Sequence, residues 1–288
     1  MQRAQSAMEY LVTYGIAIAL IAVALATLYL MGVFSQGSPR AQSEQCHVQR
    51  FATGASFTGL CSGQLPEFVG QLDPAASASS GVIVTSPHLT STLASSQKIT
   101  VTEWVYMNHT DCVDGYGLFY YSNSLEIGTG DGGCYLGVYA GGVYSWAPWA
   151  PENRRWSFIA VTYDGSQSSS NLKIYLNGSY EVSTLSAASG LLLDTNSIFL
   201  GANDMSQFNH ASSDGIANIQ LYNATLSQND IEALYIEGIG GAPIYLQALV
   251  GWWPLDADTY DYSGNLYTGN ATDLRYSSAW ASSYYRPS

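Results

Sequence analysis

Hydrophobic and polar positions divide the chain into two regimes. From Leu11 to Phe34 nearly every residue is Leu, Ile, Val, Ala or Tyr, and no charge appears. A helix of that length, at ~1.5 Å per residue, spans the roughly 30 Å hydrocarbon core of a bilayer. After Ser35 the pattern becomes short apolar runs separated by turn residues. "GVIVT" (81–85), "KITVTEWVYM" (98–107), "YGLFYY" (116–121), "CYLGVY" (134–139), "GVYSW" (142–146), "RWSFIAVTYDG" (155–165), "LKIYLNG" (172–178), "SIFLG" (197–201) and "GIANIQLY" (215–222) read as strands. Within 155–165, Trp156, Phe158, Ala160 and Thr162 face one way and Ile159, Val161 and Tyr163 the other. Asp-Gly, Asn-Gly and Gly-Gly pairs in the gaps mark turns. Many strands at short spacing predict a β-sandwich or barrel. One short helix interrupts them. Ser227 is its N-cap, with Asp230 three residues later in a near capping box. Ile231, Leu234 and Tyr235 form its apolar stripe, and Gly238 is placed to end it.

Composition narrows the function. The 288 residues carry a net charge of −13, with lysine only at Lys98 and Lys173. Nucleic acid is excluded as a partner, because phosphate backbones need basic patches. The acid excess favours solubility and divalent cations. None of the four cysteines forms a C-x-x-C pair. An even count in an exported chain predicts two disulfides, with sequence neighbours paired as Cys46–Cys61 and Cys112–Cys134; four free buried thiols are the alternative. Sequons at Asn108, Asn177, Asn223 and Asn270 agree with an extracellular, glycosylated domain.

The apolar amino-terminal run is about twice the length of a secretory h-region, and no small-x-small cleavage site follows it. Arg3 on its short side predicts a cytoplasmic amino end, with everything after Ser35 outside. Glu9 stands at the membrane edge, where an unpaired carboxylate costs on the order of a few kcal/mol. The stretch from Arg3 to Leu11, "RAQSAMEYL", resembles the class III signal peptide of archaeal type IV pilin-like proteins. That resemblance implies cutting by a prepilin-type peptidase between Ala4 and Gln5, which makes Glu9 the fifth mature residue and Tyr10 the aromatic after it. Ala7 stands where the family often has Ser, with Ser6 just before it. In a bundle of pilin-like subunits, Glu9 then neutralises the new terminal amine of a neighbour and sets the register of the helices. Gly15, Ala17, Ala19, Ala22, Ala24 and Ala26 leave small surfaces for close helix approach. A plain uncleaved anchor is the alternative.

The exported part carries a second resemblance. "TVTEWVYM", "RRWSFIAVTYDG", "LKIYLNG" and "GIANIQLYNATLSQNDIEALY", in that order over residues 80 to 237, resemble laminin-G-like, concanavalin-A-like antiparallel jelly rolls. The tail "LVGWWPLDADTYDYSGNLYTGNAT" (249–272) resembles the first strand and turn of the same family, displaced to the end. Too few residues follow for a second sandwich, so the tail strand is expected to close the first in permuted order. The organisation expected is a signal peptide at 1–4, a transmembrane, pilin-type helix at 5–34, a linker at 35–45 and the jelly roll at 46–288 with its permuted C-terminal strand. The whole is similar to archaeal pilin-like surface proteins that join such a signal to such a domain.

Enzyme signals are weak. The G-x-G-x-x-G at Gly128–Gly133 is followed by a strand, which reads as a hairpin loop and not a dinucleotide site. G-x-S-x-G is absent, and His47, His88, His109 and His210 lack metal-ligand spacing. The strand acids Glu103 and Glu126 have no carboxylate companion at alternate positions, as jelly-roll hydrolases require. Binding signals are better. Tyr144, Trp146 and Trp149, in a loop stiffened by Pro148 and Pro151, are candidates for stacking on a sugar ring; Trp156 reads as core. Asp256, Asp258, Asp261 and Asn265 form a compact oxygen set that suits calcium, or an Asx-rich turn capped by its own side chains. The expectation is a non-enzymatic, membrane-anchored surface protein displaying a lectin-like sandwich for adhesion to glycans or partners. A structural envelope or pilus subunit is the first alternative, and a glycoside hydrolase a remote one.

Overall fold

The computed structural model describes residues 14–15, 17–22, 66–72, 80–107, 116–121, 124–130, 135–140, 143–147, 152, 154–169, 171–185, 197–201 and 215–278. The chain divides into two units, residues 1–45 and 46–288. In the first, the described residues within 14–22 are helical and exposed all round. No helix among the described residues is long and apolar enough to cross a membrane.

The second unit is built from antiparallel strands. In chain order the described strands are β1 (Phe68–Leu72), β2 (Gly81–Thr85), β3 (Lys98–Tyr106), β4 (Tyr116–Tyr121), β5 (Leu125–Gly130), β6 (Tyr135–Ala140), β7 (Val143–Trp146), β8 (Trp156–Asp164), β9 (Leu172–Leu176), β10 (Ser179–Leu185), β11 (Ser197–Leu200), β12 (Gly215–Tyr222), β13 (Leu249–Trp253), β14 (Asn270–Thr272) and β15 (Leu274–Ser278). Two helices join them, α1 (Pro87–Ser96) and α2 (Gln228–Glu237). One sheet runs β10-β9-β8-β3-β12-β1-β15, with β13 also paired to β12; the other runs β14-β2-β11-β4-β5-β6-β7.

The tail completes both sheets. β1 pairs with β12 only at Gly215 and Ile216. The rest of that edge, from Ile219 to Tyr222, pairs with β13 of the tail. The switch falls at a bulge where Asn218 takes φ 48°. Asn218 holds the junction: its Oδ1 accepts from Trp252 Nε1 at 2.8 Å, and its Nδ2 donates to the Gly241 carbonyl at 2.8 Å. Trp253 enters the core over Gly251, where an added Cβ would stand 2.1 Å from the indole.

Period-two alternation sorts the side chains. Ile99, Val101, Val105, Ile159, Val161, Ile219 and Leu221 face Val82, Val84, Phe119, Ile127, Val138 and Leu200 of the other sheet in one buried core. The opposite face of the larger sheet is also apolar, with Trp104, Tyr106, Phe158, Tyr175 and Tyr222. Alpha helix α2 covers it with Ile231 and Leu234, and Tyr235 stacks on Trp104 at 5.8 Å. The capping box is complete: Ser227 and Asp230 each accept from the other's backbone amide.

Some elements depart from the sequence reading. Helix α1 was not expected, because its Ser/Thr content hides the stripe of Leu89 and Leu93; Ser86 caps it and Pro87 opens it. Gly128 and Gly130 lie inside β5, so the glycine run is strand up to Gly130 where a hairpin loop was expected. β1, β10, β14 and β15 are further additions to the strands read from the sequence.

Candidate functional site

The seven-stranded sheet has an outer face that no described helix covers. Its strands pair in a register that aligns one residue from each of six strands. Ile83 lies opposite Phe199, Phe199 opposite Tyr120, Tyr120 opposite Glu126, Glu126 opposite Tyr139, and Tyr139 opposite Tyr144. Each of these residues alternates with core-facing neighbours, so all six point outward. With strands ~4.8 Å apart, the row extends about 24 Å across the sheet. Rings touch along it: Tyr120 and Phe199 at 5.8 Å, Tyr139 and Tyr144 at 4.7 Å.

Beside this row the face is nearly bare. Gly128 lies opposite Gly137, and Gly137 opposite Trp146. The Trp146 ring lies across Gly137, where an added Cβ would be 2.5 Å from it. Tyr144 lies within 11° of parallel to Trp146, with centroids 6.1 Å apart. Tyr144 is 58 % exposed, Trp146 42 % and Tyr135 43 %. Two aromatic faces are thus held open to solvent over a bed without side chains. Burial, then the nearby charge of Glu126, then Tyr139 push the Tyr144 phenol above its ordinary pKa.

Of the stacking residues read from the sequence, Tyr144 and Trp146 come together here; Trp149 lies outside the described residues, as do Ala4, Gln5, Glu9, Asn108 and all four cysteines. Tyr120, Phe199, Tyr135, Tyr139 and Glu126 were not among the predicted binding residues. The alternation of Tyr120, Phe199, Tyr135 and Tyr139 in their strand runs was visible, but the run that holds Glu126 and the register joining the four segments were not. Asn177 serves the β9–β10 turn, with φ 49° and its Oδ1 accepting from the Phe158 amide at 2.9 Å. Asn223 is half-buried, and Asn270 is exposed on β14.

The acidic tail loop is arranged as a capped turn. Asp261 accepts from the Trp252, Ser263 and Tyr267 amides at 2.8–2.9 Å. Asp256 accepts from the Phe68 amide at 2.7 Å, and Asp258 from the Tyr260 amide and Tyr262 hydroxyl at 3.0 and 2.9 Å. Asn265 turns its amide nitrogen to the Val250 carbonyl at 3.0 Å. Asp256, Asp258, Asp261 and Asn265, the oxygen set read from the sequence for calcium, are thus each engaged in hydrogen bonds with protein groups. The described residues contain no group of three His, Cys, Asp or Glu side chains placed to hold a metal. The oxygens cap backbone amides instead, which is the other use of Asx side chains in turns.

A profile of the Concanavalin A-like lectin/glucanases superfamily matches residues 77–232, more than half of the chain. The chain belongs to this superfamily. A search of curated proteins finds no match. Among solved structures, a Bacteroides ovatus protein named as a candidate carbohydrate-binding protein aligns with TM-score 0.57 and 13 % identity, covering 75 % of this chain and 60 % of its own. The binding domain of botulinum neurotoxin DC, solved with rat synaptotagmin II, aligns at TM-score 0.42 and 17 % identity, covering 58 % of this chain and 41 % of its own. The chain thus spans less than two thirds of either structure. At 13 % identity the likeness to the Bacteroides ovatus structure is one of fold, and it agrees with the superfamily's two-sheet sandwich.

Proposed function

We propose that this chain is a cell-surface binding protein whose sandwich holds glycans on the outer face of the seven-stranded sheet. One observation carries the reading: the aromatic row from Phe199 to Tyr144, ending in the exposed, parallel Tyr144 and Trp146 rings. Sugar rings present C–H faces that pack on aromatic faces and hydroxyls that seek fixed polar groups; the tyrosine hydroxyls and Glu126 supply these. Glu126 is the one carboxylate in the seven strands of this sheet, whereas glycoside hydrolysis uses two across one bond. This favours binding over turnover.

The amino-terminal unit supports display at a membrane. Tyr14, Ile18, Leu20 and Ile21 are all more than half exposed, and such a helix needs lipid or other helices around it. In this reading the sandwich is outside the cell, a prepilin-type peptidase cuts between Ala4 and Gln5, and Glu9 pairs with the terminal amine of a neighbouring pilin-like subunit. The exposed aromatic face also favours a second reading, in which it packs against another subunit of an envelope or filament.

The test is a glycan array probed with the full chain and with Tyr144→Ala and Trp146→Ala. Binding lost in both variants, with unchanged near-UV circular dichroism, supports the lectin role. No binding by the native chain, with self-association lost in the variants, establishes the structural role instead.

A further inference from the structure

We infer that Asn270 is a site of N-linked glycosylation and that the other two sequons within the described residues, at Asn177 and Asn223, stay bare; this rests on the cell-surface reading above. The reaction is a transfer from a lipid-phosphate-linked oligosaccharide. The Asn Nδ2 attacks the anomeric carbon and a C–N bond forms. The C–O bond to the phosphate breaks, the lipid phosphate leaves with the electron pair, and one amide proton is released. The acceptor must offer a reachable carboxamide and, two residues on, a Ser or Thr hydroxyl for the transferase to recognise.

The three sequons meet this demand differently. Asn177 lies in the tight β9–β10 turn at φ 49°; its Oδ1 accepts from the Phe158 amide at 2.9 Å, and its own N–H donates to the Phe158 carbonyl at 2.8 Å. The Tyr235 ring of α2 packs on Gly178 of the same sequon, where an added Cβ would stand 3.0 Å from it. Asn223 is half-buried, and its sequon is bonded into the domain at each residue. The Asn223 N–H donates to the Ala248 carbonyl at 2.9 Å, the Ala224 carbonyl accepts from the Thr100 hydroxyl at 2.6 Å, and the Thr225 hydroxyl donates to the Tyr163 carbonyl at 3.4 Å. Asn270 is exposed, and neither its carboxamide nor the Thr272 hydroxyl makes a hydrogen bond among the described residues. Its strand, β14, has three residues and stands at the end of its sheet, paired to β2 alone among the described strands. A strand this short, held on one side, opens locally at low cost and offers the sequon as extended chain.

Asn270 lies opposite Ile83 and so shares the outer face of the aromatic row. It stands at the end away from Tyr144, six strand spacings or about 29 Å off at ~4.8 Å each. A glycan there leaves the Tyr144 and Trp146 rings open and shields the sheet edge from pairing with another chain.

The experiment is glycopeptide mass spectrometry of the full chain taken from its native membrane, paired with protease treatment of the intact cells from outside. The peptide holding Asn270 is expected to carry the mass of an oligosaccharide, and those holding Asn177 and Asn223 to be unmodified. In the same cells, Thr272→Ala is expected to remove that mass and Thr272→Ser to keep it, with Tm unchanged in both. A bare Asn270 in a chain cleaved from outside overturns the site and leaves the cell-surface reading in place. A bare Asn270 in a chain protected until the cells are broken overturns the cell-surface reading and the site with it. A glycan on Asn177 or Asn223 overturns the selection among the sequons.

Discussion

Glu103 gives the sharpest test of how this sandwich is held together. It sits mid-strand in β3 between Val101 and Val105, whose side chains share its inward face. Its β8 neighbour is Ile159, and on the β12 side it meets the bulge between Ala217 and Gln220. It is fully buried, and neither carboxylate oxygen has a hydrogen-bond partner. The other buried polar groups at inward strand positions of the two sheets, among the described residues, are neutral: Ser157 and Tyr163 on β8, Tyr121 on β4, Thr129 on β5 and Ser145 on β7. Desolvation therefore acts unopposed and pushes the Glu103 carboxyl up to about 8.

The sign follows from linkage. Below about pH 4.5 the carboxyl is protonated in both folded and unfolded chains, and stability is full. As pH rises from there towards 8, the unfolded chain ionises and the folded one does not, so stability falls by ~1.4 kcal/mol per unit. Above about 8 the loss levels off, at a total on the order of 5 kcal/mol. That is a large share of the roughly 5–15 kcal/mol that holds a typical domain folded. Glu103→Gln removes the ionisation and nearly keeps the shape. Denaturant unfolding followed by tryptophan fluorescence, at several pH values from 4.5 to 8.5, is the assay. The two chains should be closest in stability at the acid end, with the variant gaining steadily towards the alkaline end. Parallel stability curves would refute the reasoning, since they would mean that Glu103 finds a partner or water in the folded core.

Four further outcomes are expected. Asp164, whose burial is outweighed by hydrogen bonds from Ser166, Lys98 and Gln167, is held down at about 2; it contributes stability that is lost only as pH falls from about 3.8 through 2, and Lys98→Met should move that acid transition upward in a pH titration of the fold. Asp261→Ala uncaps three backbone amides and should cost roughly 3 kcal/mol, read as a lowered Tm; melting curves of the native chain in chelator and in millimolar calcium should superimpose. Gly137→Ala should lift the Trp146 ring and weaken glycan binding more than it lowers Tm. Glu9→Ala should leave membrane insertion intact and impair incorporation into an assembly, measured by fractionation of membranes and filaments, and normal incorporation would defeat the pilin reading.

Much of the fold was legible because period-two runs and β-branched residues are local signals. β2, β3, β4, β8, β11 and β12 stand within a residue or two of the runs that announced them. Helix α2 was legible through Ser227 and Asp230, whose side chains act on the adjacent backbone. The omissions have physical reasons. β5 is "LEIGTG", and its glycines look like a turn until Trp146 is seen to need the space above Gly137 beside them. Helix α1 is polar on most of its surface, and two leucines hold it to the core. Only half of the candidate binding face was legible. Tyr144 and Trp146 are near neighbours in sequence, but the row that extends from them depends on cross-strand register. Register is set by the whole sheet, and no single run contains it.

The two sheets bear the same kind of outward aromatic residues, and one helix makes the difference between them. On the larger sheet, Trp104, Tyr106, Phe158 and Tyr222 lie beneath α2 and the segments flanking it, so they add to the folded domain's buried surface. On the seven-stranded sheet, Tyr120, Tyr139, Tyr144 and Trp146 have no described helix above them, and Tyr144 and Trp146 stay exposed. Aromatic surface left in water costs free energy that a neutral polar residue would avoid. The sandwich would be more soluble with Ser or Thr in those places, as Thr85 and Ser197 stand near the other end of the same sheet. A row aligned across six strands and exposed at its Tyr144 end, with glycine clearing the bed beside it, is what the proposed binding role requires and what folding of the domain alone does not.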